Sequence, residues 1–129
     1  MHRHADFSKP IIITPQDYHW VKSPGGQVNR MMLDRIGAEK ARATSVVEFS
    51  PQTPFTEHTH PLGEEVLVLT GTFTENEDQH YLAGWYMRNP HQSSHRVSSE
   101  MGCQIFVKLI QMTEHEVTPT RINTHDPKH

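Results

Sequence analysis

The sequence predicts an all-β domain, a sandwich or barrel of short strands. Apolar and β-branched residues fall in short runs such as Val66-Leu67-Val68-Leu69 and Ile105-Phe106-Val107, and turn residues interrupt them roughly every 8–12 positions. An amphipathic helical period is almost absent. At 129 residues the chain is long enough for one domain with a real core, and no internal repeat or low-complexity tract divides it.

The elements follow in order. Residues up to about Lys9 are polar and read as a loose arm. Ile11-Ile12-Ile13 reads as a short strand ended by Thr14-Pro15, and His19-Trp20-Val21 as another before the turn Ser23-Pro24-Gly25-Gly26. Val28–Ile36 is the next strand, closed by Gly37. The stretch Ala38-Glu39-Lys40-Ala41-Arg42-Ala43 holds helix-forming residues but is too short for a stable isolated helix, so a hairpin loop is expected there. Thr44-Ser45-Val46-Val47-Glu48-Phe49 is strand-like, Ser50-Pro51-Gln52-Thr53-Pro54 breaks it, and Phe55 to His60 resumes.

Next comes a strand from Glu64 to Thr70, then Gly71 and Thr72-Phe73-Thr74, with a turn over Glu75-Asn76-Glu77-Asp78-Gln79. Tyr81-Leu82, Gly84-Trp85-Tyr86-Met87 and His95-Arg96-Val97 are short extended pieces around Asn89-Pro90, and 104–110 is the last clear strand. Residues 117–129 are rich in Thr, Pro, Asn and charge without periodicity and read as a second arm. The expected organisation is an N-terminal arm over 1–17, a barrel over 18–112 and a C-terminal extension over 113–129.

Composition narrows the function. The formal net charge is −3 and no basic block is present, which argues against a nucleic-acid partner. No run approaches the ~20 apolar residues of a membrane span, so no membrane partner is expected. The start Met1-His2-Arg3-His4-Ala5-Asp6 lacks the apolar core of a signal peptide, and a cytoplasmic location is expected. Cys103 is the only cysteine, which excludes an intrachain disulfide and a thiolate-rich zinc site. Any metal would have nitrogen and oxygen ligands.

The chemistry gathers at His58-Thr59-His60, followed by Pro61-Leu62-Gly63-Glu64-Glu65. On an extended backbone His58 and His60 share one face, and the apolar run after Glu65 would hold a carboxylate on rigid sheet. Only one of Glu64 and Glu65 can look inward. Alternation alone leaves the choice open, and the outward one reads as a solvated or inter-strand partner for a residue such as Arg88 or Lys108. A second anchor lies in the segment from Gly84 to His95, Gly-Trp-Tyr-Met-Arg-Asn-Pro-His-Gln-Ser-Ser-His.

Together the two segments resemble the motifs of the cupin family. His58, His60, Glu64 and Gly71 match the first motif, whose six-residue gap before the glycine favours Glu64, and Gly84, Pro90 and His95 match the second. The sequence departs from the pattern at Gln92, where the family has Gly, at Ser99, where it often has Asn, and at Pro51-Gln52-Thr53, which lacks the upstream glycine. The stretches 63–73, Arg88-Asn89-Pro90 and 102–109 resemble the ChrR-like cupin group in particular, over about residues 18–112. The resemblance implies a double-stranded β-helix (a cupin jelly-roll barrel) with a metal in its mouth, and a homodimer.

Carried over onto this chain, the resemblance implies that His58, His60, Glu64 and His95 hold one divalent transition metal ion per chain, Fe2+, Zn2+ or Ni2+. Such a nitrogen and oxygen set leaves one or two positions for water or substrate, and affinity alone does not choose the metal. The group includes stand-alone proteins similar to acetylacetone-cleaving dioxygenases, which use non-haem iron. A small-molecule metalloenzyme of dioxygenase type, acting on a dicarbonyl- or enol-like substrate, is therefore the leading expectation. The group also includes the zinc-binding sensory half of the ChrR anti-sigma factor, so the alternative is a non-catalytic metal-dependent sensor or ligand-binding module. The absence of a preceding helical domain with its own His and Cys ligands weighs against that alternative.

Other residues have plainer readings. His2, His4, His80, His115, His125 and His129 read as solvated, and His91 as a loop residue within reach of substrate. Cys103 reads as a small buried hydrophobe, and Trp20, Trp85, Tyr81 and Tyr86 as packing residues.

Overall fold

The computed structural model describes residues 2–22, 26–36, 42–60, 63–90, 93–109 and 120–126, with backbone alone for residues 2, 54–60 and 93–95. Among these are eleven strands and one 3-10 turn, Pro15–Asp17. The strands are β1 (His2–Arg3), β2 (Val21–Lys22), β3 (Val28–Ile36), β4 (Arg42–Phe49), β5 (Thr53–His60), β6 (Glu64–Glu75), β7 (Gln79–Leu82), β8 (Trp85–Asn89), β9 (Ser93–Ser99), β10 (Cys103–Leu109) and β11 (Thr120–Asn123). All their pairings are antiparallel. The all-β expectation holds.

One sheet runs β1-β3-β4-β10-β6-β8-β11, with β2 also on β3. The second runs β7-β6-β9-β5. The long strand β6 belongs to both: residues 64–71 pair with β10, residues 64–67 also with β8, and residues 72–75 pair with β7. Gly71 is the joint. Its φ of +74° lies in the left-handed region, and a Cβ there would run into the Gly102 carbonyl oxygen, with the Cys103 Cα at 2.8 Å. The close approach of two backbones is what lets one strand serve two sheets.

The core lies between these layers. Phe49, Val66, Val68, Phe73, Tyr81, Met87, Val97, Cys103 and Ile105 form one buried cluster, with Phe49 and Phe73 rings 5.9 Å apart and tilted, and Val28, Val47, Trp85 and Val107 packed against it. Tyr81 and Trp85 pack ring to ring at 5.3 Å, as expected for sheet-packing aromatics. Along β6 the buried Glu64, Val66 and Val68 alternate with the more open Glu65, Leu67 and Leu69, the period of a half-buried strand.

Several local readings change: the strand read at His19-Trp20-Val21 is Val21–Lys22, and Glu75, read within a turn, ends β6. Ile11-Ile12-Ile13 is not a strand; Ile12 is 86% exposed, and Pro10, without an N–H, precedes the run. The β3 edge it passes is occupied instead by β1 and β2 at its two ends and by the His4 ring, whose Nδ1 lies 2.7 Å from the Leu33 carbonyl oxygen. The N-terminal arm is thus tied down through β1 and His4. The segment 120–123, read as an aperiodic arm, is a strand paired with β8. Gly37, the 38–41 stretch, Gln92, His91, His115 and His129 lie outside the described residues.

A Gly71→Ala substitution is expected to lower stability by at least ~2 kcal/mol, because it adds backbone strain and a collision with Gly102 together. Urea denaturation with an unchanged m-value is the measurement; a midpoint within error of the wild type would refute the joint.

Candidate metal site

The first-motif histidines lie on β5 and the second-motif histidine on β9. The register sets His58 directly opposite His95, and His60 opposite Ser93. Residues facing each other in an antiparallel pair share a sheet face, as do residues two apart on one strand. His58, His60 and His95 are thus on one face. Val97, two residues after His95 on the same strand, belongs to the buried cluster. Neighbouring strands lie about 4.8 Å apart, with about 6.7 Å between same-face residues along a strand. The histidine side chains themselves lie outside the described residues.

The carboxylate comes from the other sheet. The chain leaves β5 at His60 and enters β6 at Glu64, and it leaves β8 at Asn89 and enters β9 at Ser93. These two crossings run side by side, since Glu64 pairs with Asn89 while His60 pairs with Ser93. The backbone thus crosses between sheets twice at this end of the barrel, once before Glu64 and once before Ser93. Glu64 is 4% exposed and on the core side with Val66 and Val68.

Glu65 has the opposite orientation and different company. Its register partners are Arg88 on β8 and Lys108 on β10, the two cations expected for an outward carboxylate. Tyr86 is beside it; burial, and then the Glu65 charge, push the Tyr86 phenol up from its ordinary value, and Arg88 pulls it down.

Glu64 Oε1 accepts a hydrogen bond from Asn89 Nδ2 at 2.9 Å. Asn89 Oδ1 in turn accepts from Arg121 Nη2 at 2.7 Å, and Arg121 Nη2 also reaches both oxygens of Glu75, at 3.0 and 2.9 Å. Arg121 is on β11, opposite Met87, and so on the inner side of its sheet. Glu75 is 4% exposed and sits opposite Val97, one same-face step from the His58 and His95 pair. Sequence reading missed Asn89, Glu75 and Arg121. Asn89 and Glu75 lay within segments read as turns, and Arg121 within a segment read as an arm.

The remaining residues are placed plainly. His4 contacts Leu33 as above, Thr74 Oγ1 lies 2.9 Å from His80 Nδ1, and the His125 ring covers Gly84. Among the described side chains no three His, Cys, Asp or Glu form a metal-holding group, three of the four expected ligands being outside that set. Cys103 is buried in the core; burial pushes its thiol up, against a smaller opposing effect of the Ser99 hydrogen bond.

The family model of the ChrR cupin-like domain matches residues 8–113. No curated protein sequence matches the chain. Among solved structures, an RmlC-like cupin from Shewanella frigidimarina is 19% identical with a TM-score of 0.65, over 84% of this chain and 97% of that one. The anti-sigma factor ChrR of Rhodobacter sphaeroides, in complex with SigE, is 21% identical with a TM-score of 0.60, over 75% of this chain and 52% of that one. A protein named as a candidate dioxygenase from Nostoc punctiforme is 18% identical with a TM-score of 0.60, over 83% of this chain and 38% of that one. At these identities the likenesses establish the fold.

A buried thiol with a raised pKa carries little thiolate at pH 8. Iodoacetamide is therefore expected to leave Cys103 unlabelled in native protein over a time in which urea-unfolded protein is fully labelled, read by intact mass; equal rates would place the thiol at the surface.

Proposed function

The chain belongs to the ChrR cupin-like domain family, and on that premise we propose that it is a mononuclear metal-binding cupin, a small-molecule metalloenzyme of dioxygenase type acting on a dicarbonyl- or enol-like substrate. The ligands are His58, His60, Glu64 and His95. The observation that carries this reading is the register of β5 with β9: His58 stands opposite His95 on one face of the sheet, and Glu64 is buried where the chain enters β6.

The donor set fits a divalent transition ion. Neutral imidazoles with one carboxylate bind Fe2+, Zn2+ or Ni2+ and leave open positions. A bound ion supplies Lewis acidity toward the paired oxygens of a dicarbonyl or enolate and, as Fe2+, chemistry with O2. The protein's part is positional. Glu64 is oriented by Asn89, and Val66, two residues along the same strand, begins the buried apolar cluster. With Glu64 as ligand the site carries a net charge of +1, against +2 for three histidines alone.

A second reading, a non-catalytic metal-dependent sensor, is favoured by the likeness to ChrR, which was solved with SigE. In that case the same site would report metal or ligand occupancy to a partner.

The test is metal analysis of tag-free protein followed by oxygen consumption of the Fe2+ form with diketones. About one ion per chain is expected, lost in His58→Ala and His95→Ala. Glu64→Ala is expected to weaken binding about tenfold or more, and Glu65→Gln to leave it unchanged. Metal-free wild type, or equal metal content in the histidine variants, sinks the site. A loaded protein that turns over no diketone yet binds a protein partner favours the sensor.

A further inference from the structure

We propose that Arg121, on the C-terminal strand, is a positioning residue for the metal site: it fixes which way the Asn89 amide points, and thereby holds the Glu64 carboxylate in its ligating orientation. The inference rests on the metal-site reading above and extends it to a strand beyond residues 8–113, where the family match ends.

The argument turns on the two-sidedness of an amide. Asn89 offers an acceptor, Oδ1, at one end and a donor, Nδ2, at the other, and it could rotate to exchange them. A guanidinium has only donors and is always charged. Arg121 Nη2 at 2.7 Å can therefore face only Oδ1, and this turns Nδ2 toward Glu64 Oε1, at 2.9 Å. The opposite rotamer would set Oδ1 against a carboxylate and Nδ2 against a guanidinium, two repulsive contacts in a poorly solvated place.

The other end of the chain is anchored as firmly. Arg121 is held by both Glu75 oxygens, and its Nη1 donates to the Thr120 carbonyl at 2.8 Å. Its guanidinium also lies 5.8 Å from the Tyr81 ring centre. The strand that carries it is docked beyond the ladder too: Thr124 donates from its backbone N at 2.8 Å, and from its hydroxyl, to the Gly84 carbonyl. Gly84, from the second motif, in turn donates to the Val68 carbonyl at 2.8 Å. The series Glu75, Arg121, Asn89, Glu64 thus runs from a position one step from the histidine pair, across the inner side of β8 and β11, to the carboxylate ligand.

A purely structural Arg121 would stabilise the barrel and leave metal affinity alone once the fold is intact. The two roles separate in an Arg121→Met/Glu75→Leu variant, which removes the ion pair together and leaves neither charge uncompensated. Asn89→Leu is the second variant, breaking the relay while keeping the Arg121 and Glu75 pair.

Co2+ affinity by chelator competition and the visible spectrum of the Co2+ form are the readouts, on variants whose circular dichroism matches the wild type. Both variants are expected to bind Co2+ about 10–100-fold more weakly with an altered spectrum, and their combination to lose no more than either alone. In a Glu64→Ala background the Arg121 and Glu75 changes are expected to shift affinity less than about twofold. Wild-type affinity and spectrum in either folded variant, or a full loss in the Glu64→Ala background, overturns the role of Arg121 alone. Wild-type protein that binds no Co2+ overturns the metal reading and this role with it.

Discussion

Burying two carboxylates on one strand is the constraint on which the structure turns. Glu64 and Glu75 stand at the two ends of β6, and each is 4% exposed. Taking a carboxylate out of water costs several kcal/mol unless charge and hydrogen bonds replace the lost solvation. Glu75 meets a guanidinium, its ion pair at 2.9 Å with Arg121, whose side chain is only 25% exposed. Glu64 meets an amide donor. Since Arg121 also bonds Asn89, one cation from the C-terminal strand serves both ends of β6, and it draws the two sheets together at the barrel end where the histidines lie.

That arrangement is possible only because β6 changes sheets. Gly71 turns the strand where it touches Gly102, so its first half faces β8 and its second half faces β9. Without the joint, Glu64 and Glu75 would be eleven residues apart on a straight strand, over 30 Å from end to end at about 3.3 Å per residue. With it they are joined through two side chains, Glu75 to Arg121, Arg121 to Asn89 and Asn89 to Glu64. The two buried carboxylates thus flank the apolar cluster of Val66, Val68 and Phe73 carried by the same strand.

Much of this was legible in the residues, for definite reasons. The strands β3, β4, β6 and β10 carry β-branched and aromatic runs bounded by Gly and Pro, and they were read with nearly their final bounds. The choice of Glu64 over Glu65 came from the motif's gap to Gly71; the continuous apolar run Val66-Leu67-Val68-Leu69 hides the alternation that the burial of Glu64, Val66 and Val68 displays. Ile11-Ile12-Ile13 misled because a β-branched run becomes a strand only when an edge is free to receive it. β11 was missed for the converse reason: its inner position opposite Met87 is an arginine, so a short strand presents an inverted hydropathy pattern. The polar relay was invisible because its members, at 64, 75, 89 and 121, are joined by register alone, and no local spacing announces them.

The relay also bears on the chemistry under the proposed reading. A carboxylate ligand lowers the net charge of a divalent site from +2 to +1, and with it the pull on a substrate's oxygens. A hydrogen bond donated to that carboxylate withdraws part of its electron density, the more so when the donor amide is itself polarised by a guanidinium on its far side. Asn89 and Arg121 therefore act in two senses at once. On that reading they would hold Glu64 where an ion can use it, favouring binding, and would weaken it as a donor, returning Lewis acidity to the ion. A site tuned this way keeps the affinity of a four-ligand set while approaching the electrophilicity of a three-histidine one, the compromise that a dicarbonyl substrate, binding through two weakly basic oxygens, would require.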